Sequence, residues 1–518
     1  MLPLRAALVA GAVALSSLLP IALAAPLAKR MQDLASCLTD AQLSPVTDAL
    51  PVYEQDVRAY NQRIQPYPSV ILYPSYPSDI TKALACAASA DVKVAARGGG
   101  HSYASYGLGK DNGGLTIDMS NFRDISVDDN GLASIGGGNR LGDIYLALDW
   151  RGWAIAAGSC HGVGIGGHAG FAGYGLASRM WGFLSDQVVG YDVVLANGTV
   201  LSNVTRESNG DLFWALNGAA PNFGLVTAYH VQAHHKPATA VLATYTYTSP
   251  STANAATAFA SMASFGNTSA PANLGLHAVI GADSFEIAAV WYGPESEYNG
   301  VIQPLEDELP PSYTKSVNAF SWIDMAKKLA GTQDLSSNAE MLQSRDSFYA
   351  KSLMTPSTIP LSIDTLEAFF DYLWTTETTT KWFVEANVYG GANSEINSIP
   401  LNASSFGFRD KHLNFQLYAS SPTYGNPYPT DDGIPFVKGM WSTLVDRMVS
   451  KGWSHNSSSP DGYGAYVNYI DPELTAEETK RLYWGAQYER LAHLKAQIDS
   501  QQLLNSAQGI VPAQPSSA

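Results

Sequence analysis

Arg97-Gly98-Gly99-Gly100-His101-Ser102-Tyr103 and Gly158-Ser159-Cys160-His161-Gly162-Val163-Gly164-Ile165-Gly166-Gly167-His168 decide how this chain is read. Each stretch is a run of glycines broken by one nucleophilic side chain, His101 in the first and Cys160 in the second. Where no Cβ intervenes, backbone N–H groups close on an anionic ligand, so both stretches read as cradles for a cofactor. One glycine-rich loop is equally well an ordinary turn. Two of them, each presenting a nucleophile, make a far more specific pattern.

Around these loops short apolar runs alternate with helical spacing. Strands are predicted over 69–73, 92–96, 115–118, 132–136, 188–195 and 225–231, with helices over 80–90, 141–151 and 211–216. Such β-α-β alternation predicts an α/β domain that holds ligands on its loops. The texture changes at 237–250. Alternating Thr-rich, aromatic and β-branched runs follow at 241–247, 275–280, 285–292, 381–389 and 414–420, with a helix over 364–374. These read as half-buried antiparallel strands of one large sheet backed by helices. After about residue 436 the pattern is helical, apart from an extended segment over 465–471. A last helix over 476–499 carries Tyr483, Trp484, Tyr488, Leu491 and Leu494 at helical spacing. The Pro/Ser/Ala-rich tail from Gln508 is expected to be disordered.

With 518 residues, 46% of them apolar, the chain can build two or three domains with full cores. A net charge of −16 and the lack of a basic stripe argue against nucleic acid as a partner. Arg5, the apolar run 6–25 and Ala22-Leu23-Ala24 together read as a signal peptide with its cleavage site. Lys29-Arg30 reads as a dibasic processing site, which starts the mature chain near Met31. Pro20 interrupts the run, which argues against a membrane anchor, and no later stretch is long enough to span. A secreted, soluble, extracellular protein is expected. The sequons at Asn197, Asn203, Asn267, Asn402 and Asn456 fit a glycoprotein, although sequons also arise by chance.

Two further stretches join the glycine loops. Asp211-Leu212-Phe213-Trp214-Ala215-Leu216 precedes Asn222-Phe223-Gly224-Leu225-Val226-Thr227, and Tyr466-Val467-Asn468-Tyr469-Ile470-Asp471 precedes Tyr483-Trp484-Gly485 and Arg490-Leu491. Together they resemble the berberine-bridge-enzyme-like FAD-linked oxidases, most closely the fungal gluco-, xylo- and chito-oligosaccharide oxidases. Gly218-Ala219-Ala220-Pro221 departs from the glycine run usual there, which suggests a stiffer loop. The resemblance implies an α+β chain with an FAD-binding domain of the vanillyl-alcohol-oxidase (PCMH) type over 31–240. It also implies a substrate domain over 241–435 and a segment over 436–518 that returns to the FAD domain. It implies bicovalent FAD, with His101 on the 8α-methyl and Cys160 on C6 of the ring. Arg97, Gly98, Gly99, Gly100, Ser102, Ser159, Gly162, Val163, Gly164, Gly167, His168, Val226 and Asn468 are the expected cofactor contacts. With Cys160 so assigned, Cys37 and Cys86 remain as an even pair for a disulfide in an oxidising route; two buried thiols are the alternative. No metal is expected.

The resemblance also distributes chemical roles. His168 is expected near the flavin, where a donor or a positive charge favours the reduced anion. Val163 is expected at the C4a face, where a small side chain leaves room for O2. Alternation along 465–471 puts Tyr466 and Asn468 on one face, with Val467 and Tyr469 on the other. Tyr469 matches the family's catalytic tyrosine. A phenol of ordinary pKa near 10 needs a partner to act as a base at neutral pH. Asn387 occupies the position of that partner, an aspartate in the oligosaccharide oxidases, with Glu385 two residues earlier on the same face. Substrate contacts are expected from Tyr103, Phe383 or Trp382, Glu385, Asn387, Asn414 and Gln416, aromatic platforms beside polar groups being what a pyranose needs. Each of these residues is also ordinary on a half-buried sheet. The expected activity is oxidation of a reducing-end C1 hydroxyl to a lactone, with O2 reduced to H2O2 by a monomer that binds neither nucleic acid nor membrane. The rivals are a tailoring oxidase for alkaloid, polyketide or terpenoid intermediates and a non-catalytic flavin-bearing extracellular binding protein.

Overall fold

Side chains alternate across an extended chain, and the second half of the molecule exploits this rule. In the computed structural model, which describes residues 19–337, 345–504 and 506–514, seven strands form one antiparallel sheet. Their spatial order is Thr314–Phe320, Ala240–Thr248, Ser284–Trp291, Leu274–Ile280, Lys381–Val388, Lys411–Ser420 and Phe348–Pro356. One face carries Leu276, Ala278, Phe285, Ile287, Val384, Ala386, Phe415 and Leu417, all buried. That face packs under helices Thr252–Thr268, Ile363–Thr375 and Thr430–Val449, with Phe259 stacked on Phe415 and edge-on to Phe370. The opposite face turns His277, Glu385, Asn387 and Gln416 towards the first half of the chain.

The first half holds three smaller sheets, the smallest of which pairs Trp153–Ala154 with His234–His235. Val70–Leu72, Leu115–Asp118 and Val94–Arg97 form a parallel sheet, with helix Pro77–Ser89 as the crossover. Ile125–Val127, Leu132–Gly136, Gly224–Gln232, Val188–Leu195 and Val200–Val204 form an antiparallel one. The fold is therefore α+β, with β-α-β alternation confined to the three-stranded parallel sheet. Cys37 and Cys86 form a disulfide, with 5.6 Å between Cα atoms, that ties helix Leu19–Asp40 to the crossover helix. No helix among the described residues is long and apolar enough to cross a membrane. Residues 1–18, most of the expected leader, lie outside the described residues.

Three expectations at the C-terminal end are corrected. The segment 465–471 is a turn, closed by Tyr469 N–H donating to the Tyr466 carbonyl at 2.9 Å. Pairing with the Phe348–Pro356 strand stops at Gly464, and Asp471 is drawn away to the Lys351 ammonium (2.6 Å) and the Tyr349 hydroxyl (2.8 Å). The single last helix is broken at Gly485, whose φ of +51° belongs to no right-handed helix; regular helix resumes over Tyr488–Ile498. The tail packs down as far as it is described, to residue 514, and residues 515–518 lie outside the described residues. Ile510 N–H donates to Asn222 Oδ1 (3.0 Å), Ala513 N–H donates to the Ala492 carbonyl (2.9 Å), and the Gln508 amide donates to the Asp471 carbonyl (2.6 Å).

Candidate active site

The two glycine loops cross each other backbone to backbone. A Cβ on Gly99 would lie 2.3 Å from Gly164 N, and one on Gly164 would lie 2.1 Å from Gly99 N. Only glycine allows this approach. The crossing brings together the nucleophiles beyond it: Cys160 Sγ lies 4.0 Å from His101 Nε2. Tyr145, on helix Leu141–Trp150, donates to the Gly158 carbonyl at 2.7 Å and steadies the second loop. The amides of Gly99, Gly100 and His101 meet no protein acceptor among the described residues and remain free for an anionic group.

A cavity of about 540 Å³ opens over the crossing. His101, Cys160, Val163, Gly167, His168 and Val226 line it, as do Tyr103, Glu385, Asn387, Gln416, Asn468 and Tyr469. Unspent amides, a backbone cradle that a Cβ would fill, and two adjacent nucleophiles suit a long anionic aromatic cofactor such as FAD.

The side chains are tuned chiefly by burial. His101 stacks on Tyr60 with centroids 3.9 Å apart, and burial followed by the Arg140 charge lowers its pKa to about 3, so its ring is neutral. Burial raises the Cys160 thiol, partly offset by the amides of Gly162 and Val163 and by Arg140. His168 accepts from the Gly158 amide at 3.0 Å through Nε2, and burial lowers its pKa to about 4. Of the two forms expected there, a donor or a positive charge, the neutral ring leaves the donor, with the proton on Nδ1. Burial, then the charge of Glu385, drives the Tyr469 hydroxyl well above its usual value.

Several expected contacts fall elsewhere, and others line the cavity with their polar groups spent on protein partners. Arg97 lines the cavity, but its guanidinium is spent on Asp118, the Asp56 carbonyl and the Tyr73 hydroxyl, so it braces the loop. Gly162 lies behind the wall with its carbonyl taken by Arg140, and Gly166 stands at the cavity instead. Phe383 stacks on Tyr418 (4.7 Å) away from the cavity, Trp382 packs on Phe436, and buried Asn414 accepts from Ser352 (3.3 Å). Asn468 ties the C-terminal turn down, donating to the Phe171 carbonyl (3.1 Å) and the Tyr466 hydroxyl (2.9 Å). Tyr466 and Tyr469 do not oppose each other across a strand; their rings meet edge to face at 5.2 Å. Asn387 is buried and donates to Glu385 Oε1 at 3.0 Å. Gln416 donates to the Tyr103 hydroxyl at 2.7 Å, and the Tyr103 ring lies parallel to Tyr469 at 6.0 Å.

Sequence reasoning missed Tyr60, Tyr174 and His277 as cavity residues. Strand parity flags His277, the polar residue amid Leu276 and Ala278; nothing local marks Tyr60, which lies outside any regular element.

The comparisons agree with this geometry. Residues 68–203 match the family model described as an FAD binding domain, and residues 465–511 match the one described as berberine and berberine like. The xylooligosaccharide oxidase of Thermothelomyces thermophilus is 30% identical over 500 residues, 95% of this chain and 97% of that one. A solved chitooligosaccharide oxidase superposes with a TM-score of 0.86 at 27% identity, covering 93% of this chain and all (100%) of that one. The glucooligosaccharide oxidase of Acremonium strictum, described as carrying 6-S-cysteinyl, 8α-N1-histidyl FAD, superposes at 0.85 with 28% identity over 93% of this chain and 100% of its own. Crossing glycine loops, the closing C-terminal segment and likeness over nearly the whole length lead to one conclusion: the chain belongs to the berberine-bridge-enzyme-like family of FAD-linked oxidoreductases.

Proposed function

We propose that the protein is a secreted oxidase that holds FAD covalently through His101 and Cys160. It converts the reducing-end C1 hydroxyl of a mono- or oligosaccharide to a lactone, with O2 reduced to H2O2. The observation that carries this reading is the approach of the two nucleophiles to 4.0 Å where the loops cross. The sugar assignment rests on the relatives, named as xylo-, gluco- and chitooligosaccharide oxidases, and on a cavity that sets aromatic faces beside amides and a carboxylate. The chain divides at about residues 240 and 435, so that a monomer closes its own site.

FAD, when bound, supplies the two-electron acceptor for the C1 hydride. The chain does the rest. His101 and Cys160 anchor the ring, and the free amides of the first loop meet the cofactor's negative charge. Tyr103 offers a face to the pyranose, while Gln416 and Glu385 meet its hydroxyl rim. Tyr469 takes the C1 hydroxyl proton. Val163 is half-buried and keeps the adjacent space small but open to O2.

A second reading has one observation behind it. The cavity has an apolar arm walled by Leu176, Tyr292, Trp322, Met325 and Leu329, which suits a substrate with an apolar body. Acid precipitation followed by a peroxide-coupled screen tests both. The protein pellet is expected to stay yellow, and His101→Ala or Cys160→Ala to leave one tether each. Release of all flavin by acid refutes the covalent assignment. Peroxide from apolar alcohols and from no sugar selects the second reading.

A further inference from the structure

The proton of the C1 hydroxyl needs a destination beyond Tyr469, whose half-buried phenol has no hydrogen-bond partner among the described residues. We propose that Glu385 is that destination: a positioning and proton-accepting carboxylate that works through Tyr469 and is itself oriented by His277 and Asn387. The inference rests on the carbohydrate-oxidase reading and names a different residue from the Asn387 that the family resemblance indicates.

Four observations carry it. Asn387 offers an amide, which cannot take up a proton at neutral pH, and its Nδ2 is already donated to Glu385. Both orienting groups converge on one carboxylate oxygen: His277 Nδ1 approaches Glu385 Oε1 at 3.5 Å and Asn387 Nδ2 at 3.0 Å. Oε2 has no protein partner among the described residues, and the side chain keeps 30% of its surface open on the cavity. Glu385 also sits in register with Gln416, which holds the Tyr103 hydroxyl, and Tyr103 in turn lies parallel to Tyr469. Carboxylate, tyrosine and sugar platform thus surround one space.

The electrostatics are consistent. Burial works against the charge of Glu385, yet the contacts from His277 and Asn387 hold its carboxyl below the usual range. The titratable groups that face it are His277 from the neighbouring strand, Tyr103 from the first loop, Tyr174 from the segment after the second loop, and Tyr469 from the C-terminal turn. None is a fixed cation. The sugar O–H proton passes to the Tyr469 oxygen, and the phenolic proton moves to Glu385 across the cavity that both residues line. The C1–H bond breaks with its electron pair leaving to the bound flavin, and the C1–O bond becomes double.

Glu385→Gln in the flavin-loaded protein keeps the side-chain volume and removes the acceptor. The rate of flavin reduction by cellobiose at saturation is expected to fall about 10²-fold or more, with flavin content and Tm nearly unchanged. The acid limb of the rate–pH profile should disappear, Glu385→Asp should recover part of the rate, and His277→Asn should move the acid limb to higher pH. A readout without turnover is the binding of cellobionate by calorimetry: the anion should bind more tightly to Glu385→Gln, which lacks the repelling charge. Reduction by Glu385→Gln within a few-fold of the unmodified rate overturns the inference. So does a loss accompanied by lower Tm and flavin content that Glu385→Asp does not relieve. If no sugar reduces the flavin of the unmodified protein, the carbohydrate reading itself fails, a result visible before any variant is made.

Discussion

Replacing Gly164 by alanine adds one methyl group at the point where the loops cross, and the backbone atoms it meets set the cost. The new Cβ would stand 2.1 Å from Gly99 N, 2.7 Å from Gly99 Cα and 3.2 Å from Gly98 C, where ordinary contact begins at 3.4 Å. All three neighbours are backbone atoms, so no rotamer can relieve the overlap, and the loops must part by ~1.3 Å, the shortfall between 2.1 and 3.4 Å. Overpacking of this kind costs about 1–3 kcal/mol. The greater effect should fall on the chemistry, because His101 and Cys160 ride on the two loops that separate. A misplacement of about 1 Å lowers the rate of a positioned reaction on the order of 10²-fold. The expected outcome is a protein whose Tm falls by a few degrees and whose acid-stable flavin falls far more steeply. Flavin content is read from visible absorbance before and after acid precipitation, against Gly210→Ala as control, where an added Cβ meets nothing within 4 Å. A Gly164→Ala protein with full acid-stable flavin and unchanged Tm would refute the crossing-loop account of how the anchors are placed.

Tyr469→Phe should slow flavin reduction by sugar about 10²–10⁴-fold with flavin content unchanged; a rate within a few-fold of normal removes Tyr469 from the proton path. Tyr466→Phe acts differently, because its hydroxyl accepts from the Tyr174 amide and from Asn468 Nδ2, each at 2.9 Å. Stranding these buried donors should cost about 1–3 kcal/mol in urea unfolding while sparing much of the reduction rate, and an unchanged unfolding midpoint counts against that network. Val163→Leu should slow reoxidation by air without slowing reduction, and stopped-flow traces with equal reoxidation rates defeat that role. His168 and His412 are both lowered to about 4 by burial, so the unfolded chain takes up protons first. Their contribution to stability is complete above about pH 6.5 and is lost as the pH falls towards 4. His412→Gln should flatten the fall of the urea midpoint across that window, and an unchanged slope contradicts the burial argument.

Features that depend on local backbone and side-chain chemistry can be read from the chain before it folds. Glycine runs announce close backbone approach wherever they fall, so both loops and their nucleophiles were legible without coordinates. Period-2 strands such as Lys381–Val388 declared their two faces, and the Cys37–Cys86 pairing followed once Cys160 had a role. Strand Phe348–Pro356 was hidden because all nine of its residues are buried, so it shows no alternation, and Lys351 and Ser352 break its apolar run. Lys351 is tolerated inside only because Asp471, far along the chain, lies 2.6 Å away. The edge strand Thr314–Phe320 is exposed along almost its whole length and carries no core signal to read. Tertiary structure alone decided that 465–471 turns, that Phe383 leaves the cavity for Tyr418, and that Arg97 braces a loop. It alone set His277 against Glu385, 108 residues apart in sequence. Chain-local rules describe which face a side chain occupies. Which partner waits on that face depends on strand order and register, and those are settled only when distant segments bury their surfaces together.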